Sequence, residues 1–366
     1  MGGAKGSGAA RWLRTGWAET LQCIASPESA SSQAAEGKAA TARRNNFHAL
    51  RLLAALLVVY GHQTADLTGT YGLRLVMFFS ISGFLVAGSW NSDPHAGRFI
   101  VRRFLRIWPA YAALIVICAA GSALFPVPSM PDLSRLASLL YLSNLWYSGF
   151  DWSFFPGPSP SMNQSLWMMP FEVNMYIAFA VLALAGRKLL ALAAAVVLLA
   201  ALRAPQTEFA TGGLLECWSL FFGGFFAFGV LMRRFAWLRQ GRVVMALVAL
   251  GAVLLGIGER TAGLLFVIPP AAVWIGERSW PVLRSADRFG DLSFGIFLWS
   301  WPVQQVTRLW LDTRTPMLLQ LGVVLVQVLA IAWLSWRWIE APALRRKPRK
   351  PSAASSPKDF QDLAST

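Results

Sequence analysis

The chain has 366 residues, of which 55% are hydrophobic and only 14% charged, with a mean hydropathy of +0.48. A water-soluble domain carries about 25% charged residues, so this composition excludes an ordinary soluble enzyme and implies an all-α, polytopic membrane protein. The net charge of +15 would suggest nucleic acid in a soluble chain; here it matches the Lys and Arg that collect in cytoplasmic loops, and no nucleic-acid partner is expected.

Residues 1–44 are rich in Gly, Ala, Ser and charge, without the sustained apolar run of a signal peptide. They read as a disordered cytoplasmic leader. Ten apolar runs follow, at about 47–66, 72–90, 107–126, 165–186, 188–203, 212–232, 243–258, 261–277, 289–310 and 316–339. With the amino terminus inside, the loops assigned to the cytoplasm hold 13 Lys and Arg against 6 on the other side. That asymmetry follows the positive-inside rule and predicts about ten transmembrane helices with both termini cytoplasmic. The stretch 127–164, with Leu136 to Trp146 too short to cross and a turn-rich FFPGPSPS after it, is expected on the outer face as a re-entrant or interfacial lid. The membrane domain is expected to span 45–342. Residues 343–366 make a basic and polar cytoplasmic tail.

Ionisable groups inside apolar spans are costly, so each is a functional candidate. The first span carries Arg51 and His62, eleven residues apart. That is close to three helical turns, so both project from one face about 16 Å apart along the axis. Taken singly, Arg51 reads equally well as a snorkelling anchor and His62 as an interface residue; their shared face favours a joint role. The next candidates, Arg98, Arg102, Arg103 and Arg106, stand in a loop before the third span. On charge alone they read first as a topogenic cluster touching anionic lipid, although Arg forks also bind phosphate bidentately. Glu172 lies a turn or two into an otherwise apolar span. A buried carboxylate must be protonated or paired, and His62 is its expected partner. Asp291, Ser293, Ser300, Gln304 and Gln305 are polar positions near the end, and Arg337 with Glu340 reads as a local ion pair. Cys23, Cys118 and Cys217 with His48, His62 and His95 offer no metal-ligand spacing, and no metal is expected.

These segments in this order resemble the integral-membrane acyltransferase 3 family. Arg51 and His62, with ten residues between them, match its first-helix signature, and MFFSISGFLVA (Met77 to Ala87) is similar to its FF-x-x-SGFL block. RFIVRRFLRIWPAY resembles its arginine-rich entry to the third helix, with R-x-x-R at Arg103 and Arg106. SLWMMPFEVNMY is similar to its WSL-x-x-E-x-x-x-Y block at Trp167, Glu172 and Tyr176, and FGDLSFGIFLWSWPV and WIEAP resemble its last two helices. Two positions depart: Ser300 stands where a histidine is common, and Val76 where an acidic residue is often found before FF.

The resemblance implies a multi-pass enzyme of the inner (cell) membrane. It moves an acyl group, acetyl in the common case, from cytoplasmic acyl-CoA to a hydroxyl of a cell-surface or lipid-linked carbohydrate. Acyl-CoA enters as donor substrate, and no cofactor is held permanently. In that reading Arg102, Arg103 and Arg106 hold the CoA phosphates, and Arg51 borders the path of the pantetheine arm. His62 is the general base or carries the acyl group itself, Glu172 orients it, and Tyr176 and Ser165 contact the acceptor. The rival reading is a transporter or flippase for a lipid-linked sugar, whose buried polar groups would mark a translocation path.

Overall fold

The computed structural model describes residues 45–64, 71–122, 163–203, 217–284, 290–311 and 314–348. The leader 1–44, most of the expected outer lid at 127–164 and the end of the tail lie outside the described residues. Among those residues there is no strand. The helices are α1 (Phe47–Gln63), α2 (Tyr71–Ser92), α3 (Ala96–Ser122), α4 (Met169–Ala185), α5 (Arg187–Arg203) and α6 (Cys217–Arg234), followed by α7 (Gly241–Gly256), α8 (Arg260–Glu277), the one-turn α9 (Pro281–Arg284), α10 (Ser293–Trp310), α11 (Met317–Ser335) and the short α12 (Ala341–Arg345). Apart from α9 and α12, each overlaps one of the ten apolar runs. Three segments, Leu73–Ser92, Ser165–Ala185 and Met317–Arg345, are long and apolar enough by themselves to cross a membrane.

The side chains left uncovered fit a lipid environment. Leu192 and Leu199 of α5, Met245 and Val253 of α7 and Val326 of α11 are each more than half exposed, a distribution that water would penalise and hydrocarbon would not. The buried side is dominated by aromatic residues: Phe79, Phe99, Phe222 and Phe225 are fully enclosed, with the Phe79 and Phe222 rings stacked at 4.8 Å. Lipid tails are as apolar as these rings, so helix association rests on close packing rather than on exclusion of water. The α2–α6 contact shows how that is achieved. A Cβ on Gly83 would run into the Phe226 carbonyl, and one on Gly229 into the Ser80 carbonyl. The two backbones touch where neither glycine has a side chain.

Two local features set the height of the polar residues. Asn46 precedes α1 and is fully buried; its backbone N–H donates to the Gly276 carbonyl (2.9 Å) and its side-chain amide to the Ile275 carbonyl (3.0 Å), while its side-chain oxygen accepts from the Trp280 N–H (3.1 Å). This ties the start of α1 to the end of α8. Near the end of the chain, α11 passes into a π-helical turn, Trp336–Glu340, before α12. Such turns insert an extra residue and are concentrated at functional sites. Here the turn directs Glu340 inward, where it is 2% exposed.

One boundary differs from the sequence reading. The arginine-rich stretch expected as a loop is helical, because α3 begins at Ala96 and runs through Pro109 to Ser122. Asp93, just before it, receives Arg98 at 2.6 and 2.8 Å and also binds Arg102. Arginine is a good helix former, and the carboxylate at the helix start offsets the repulsion within the cluster. The Arg98 and Arg102 guanidiniums hold the Asp93 carboxyl well below the usual carboxylate range.

Candidate active site

The polar residues of the spans form two groups, at two heights on α1. The deeper group is centred on Asp291, which stands just before α10. Its carboxylate accepts from Arg51 of α1 at 3.0 Å and from Arg106 of α3 at 2.5 Å, with Ser293 Oγ at 2.5 Å and His48 at 3.8 Å. Arg106 also faces Glu340 at 4.0 Å, and Glu340 accepts from Ser335 at 3.1 Å. Glu340 therefore does not form the expected pair with Arg337. The π turn points it at α3 instead of back along its own helix.

Beside this node is a cavity of about 40 Å³ lined by Arg51, Arg103, Arg106, Glu172, Tyr176 and Ser82, with Phe78, Ile81, Leu85 and Phe294 closing it. Glu172 is 4% exposed and accepts from the Tyr176 hydroxyl one helical turn along α4, while that hydroxyl also lies 3.1 Å from Ser82 of α2. Arg103 lies over the rings of Phe99 and Tyr176, at 5.5 and 5.6 Å. This chamber holds one carboxylate among three guanidiniums. Arg51 and Arg106 are also held by Asp291, which leaves Arg103 as the lining guanidinium with no carboxylate within ion-pair distance among the described residues.

The second group surrounds His62, about 16 Å further along α1 than Arg51. The imidazole is 7% exposed, its Nε2 lies 3.3 Å from Ser165 Oγ, and its ring meets Trp301 of α10 edge-on at 4.9 Å. Ser165 is held in place because the Asn163 side chain caps its N–H at 2.9 Å and donates in turn to the Leu298 carbonyl at 2.7 Å. Arg308 donates to the His62 carbonyl at 3.1 Å. Arg74, 2% exposed, donates to the Leu57 carbonyl at 3.2 Å and packs against Gly61, where a Cβ would collide with its guanidinium. On α10, between Trp301 and Arg308, Gln304 donates to the Val59 carbonyl at 2.8 Å. The Gln304 Oε1 and Gln305 Nε2 atoms are buried with no protein partner among the described residues.

Arg51 and His62 share a face, as the eleven-residue spacing requires, and packing turns that face toward protein. The expected pairing of His62 with Glu172 is not what the structure holds. A 3-10 turn, Gln164–Met168, leads into α4 and holds Ser165 at the height of His62; Glu172, about two turns farther along, lies at the height of Arg51. Tyr176 follows Glu172 into the chamber, so Tyr176 and Ser165 do not share a subsite. The three arginines expected to form one grip are also divided. Arg102 is bound to Asp93 and donates to the Pro348 carbonyl at 3.2 Å, whereas Arg103 and Arg106 line the chamber. Arg74 and Arg308 were counted only as outer charges in the sequence reading. An arginine one turn inside an apolar run (YGLRLVMFF) was the signal that marked Arg74.

A family model described as an acyltransferase domain matches residues 44–337. The chain belongs to the acyltransferase 3 family. The matched range contains both polar groups except Glu340, and the expectation of an acyltransferase is met at the level of the family. The chain is 26% identical over 340 residues to the peptidoglycan O-acetyltransferase OatA of Listeria monocytogenes, an alignment covering 80% of this chain and 54% of that protein. It is 28% identical over 356 residues to Nodulation protein 10 of Rhizobium leguminosarum bv. viciae, covering 82% and 94%. The chain therefore spans about half the length of the first relative and nearly all of the second. No solved structure matches it.

Proposed function

We propose that this chain is an inner-membrane O-acyltransferase that moves an acyl group, acetyl in the common case, from cytoplasmic acyl-CoA to a hydroxyl of a cell-surface or lipid-linked carbohydrate. The observation that carries the reading is the arrangement along α1: a buried histidine in contact with a serine at one height, and an arginine-lined chamber at another. The acyltransferase family and the O-acetyltransferase named among the relatives support the same chemistry.

His62 is assigned as general base. Its Nε2 takes the proton from the acceptor hydroxyl as that oxygen attacks the thioester carbonyl; the C–S bond breaks, and the proton passes to the departing CoA thiolate. Arg74 and Arg308 flank the residue and supply positive charge where an oxyanion develops. Ser165 touches the acceptor hydroxyl, and the spare polar atoms of Gln304 and Gln305 suit a ligand rich in hydroxyl groups. The donor is assigned to the chamber side. Arg103 and Arg106 face its anionic end, Arg51 borders its arm, and Tyr176, whose hydroxyl donates to Glu172, packs its ring against Arg103. Glu172 is a positioning residue in this scheme, acting through Tyr176 and not through His62.

The test compares cells producing the wild type or His62→Ala by mass spectrometry of their surface glycans. General-base catalysis contributes about 10²–10⁴-fold, so the acyl increment is expected to vanish while insertion and expression stay normal. An unaltered acyl increment in the variant would refute the assignment.

A further inference from the structure

Several arginines among the described residues are held by carboxylates. Arg98 and Arg102 share Asp93, Arg51 and Arg106 share Asp291, and Arg239 pairs with Glu277. Arg187, Arg233 and Arg234 have no carboxylate within ion-pair distance among the described residues, yet they converge on one cleft of about 230 Å³. The cleft lies where α2, α4 and α6 end and α5 begins, at the end of the bundle that the charge asymmetry assigns to the cytoplasm. Asn91 adds an amide to its rim, and its wall is apolar, formed by Trp90, Phe179, Ala183, Leu190 and Val230.

The basic rim is a built feature rather than a loose fringe of charge. The Arg233 guanidinium lies over the Phe84 ring at 5.2 Å. It rests against α2 at Gly88, where an added Cβ would come within 3.3 Å of it. Ala183 of α4 and Leu190 and Ala191 of α5, which line the cleft, are only half-buried, so its apolar wall is open along the α4 and α5 side. Guanidiniums bind phosphate oxygens bidentately, and basic pockets between membrane helices at the cytoplasmic side bind anionic head groups.

We infer that this cleft is a binding site for an anionic phospholipid, with the phosphate held by Arg187, Arg233 and Arg234 and the start of one acyl chain laid along Phe179, Ala183 and Leu190. The site is separate from the chamber and from His62, and it does not depend on the acyl-transfer reading.

The experiment titrates phosphatidylglycerol, and phosphatidylcholine with the same chains, into the detergent-purified full chain and follows lipid adducts by native mass spectrometry. Wild type is compared with Arg187→Gln/Arg233→Gln/Arg234→Gln. The triple variant is expected to bind phosphatidylglycerol about 100-fold more weakly, with the weak phosphatidylcholine binding unchanged. Arg187→Gln alone, at an exposed helix start, serves if the triple variant does not fold, with an expected loss of about fivefold. Equal phosphatidylglycerol binding by wild type and variant, or equal binding of both lipids by the wild type, would overturn the inference. Displacement of phosphatidylglycerol by adenosine 3′,5′-bisphosphate would reassign the cleft to a soluble phosphate and so overturn the lipid occupant as well.

Discussion

Asp291 is the residue on which the polar interior turns. It binds arginines from two other helices, at 3.0 and 2.5 Å, and is only 8% exposed. A lone guanidinium at this depth would have to keep water or reach the interface, so the carboxylate is what allows Arg51 and Arg106 to stay inside. Breaking a buried ion pair by removing one partner costs about 3–5 kcal/mol. Asp291→Asn, which preserves shape but leaves the two guanidiniums facing each other, is expected to destabilise the detergent-solubilised protein by that order. A thermal melt showing no drop in midpoint would mean that the node is solvated and structurally idle. Sequence reading singled out Asp291 as polar but had no means of finding its partners. Arg51 and Arg106 are 240 and 185 residues away along the chain, and no periodicity connects positions at that separation.

Helix α2 meets α6 through two glycines, each against a carbonyl of the other helix. Such close approach is how helices gain packing energy in lipid, and it also leaves no slack. Gly83→Val inserts its methyl groups against the Phe226 backbone, which unlike a side chain has no alternative rotamer. Overpacking of this kind typically costs about 1–3 kcal/mol. The expected outcome is a lowered melting temperature, while the same change at Gly121, where nothing lies within 4 Å of an added Cβ, should leave it unaltered by packing. Equal effects at the two positions would show that helix propensity, not contact, sets the cost. The SGFL block containing Gly83 was legible as a family resemblance. The identity of the helix that it contacts was not, because small residues recur on several of the apolar runs. The 3-10 turn before α4 was equally hidden; Ser165 within it meets His62, so Glu172, about two turns farther along, falls at the height of Arg51.

Across the whole molecule, the proposed reaction assigns the donor to one polar group and the acceptor to the other. On that proposal Arg103→Ala with Arg106→Ala raises the Kd for acyl-CoA by about tenfold or more, since charge-assisted contacts to phosphate are the stronger kind of hydrogen bond. Binding of the glycan acceptor should change little. Isothermal titration of the purified variant with acyl-CoA measures this, and an unaltered affinity would remove the arginines from the donor site.

Composition and hydropathy alone determined that the chain is helical and suited to a membrane, because burial in lipid depends on residue type and run length rather than on partners. The eleven-residue interval likewise determined that Arg51 and His62 share a face, since helix geometry is local. Tertiary packing decided what each polar group touches: Ser165 for His62, Tyr176 for Glu172, Asp291 for Arg51 and Arg106, and Arg106 in place of Arg337 for Glu340. The physical reason is that a buried ionisable group is satisfied by whatever partner the neighbouring helix presents at its height, and that height depends on turns, π insertions and glycine contacts elsewhere in the chain.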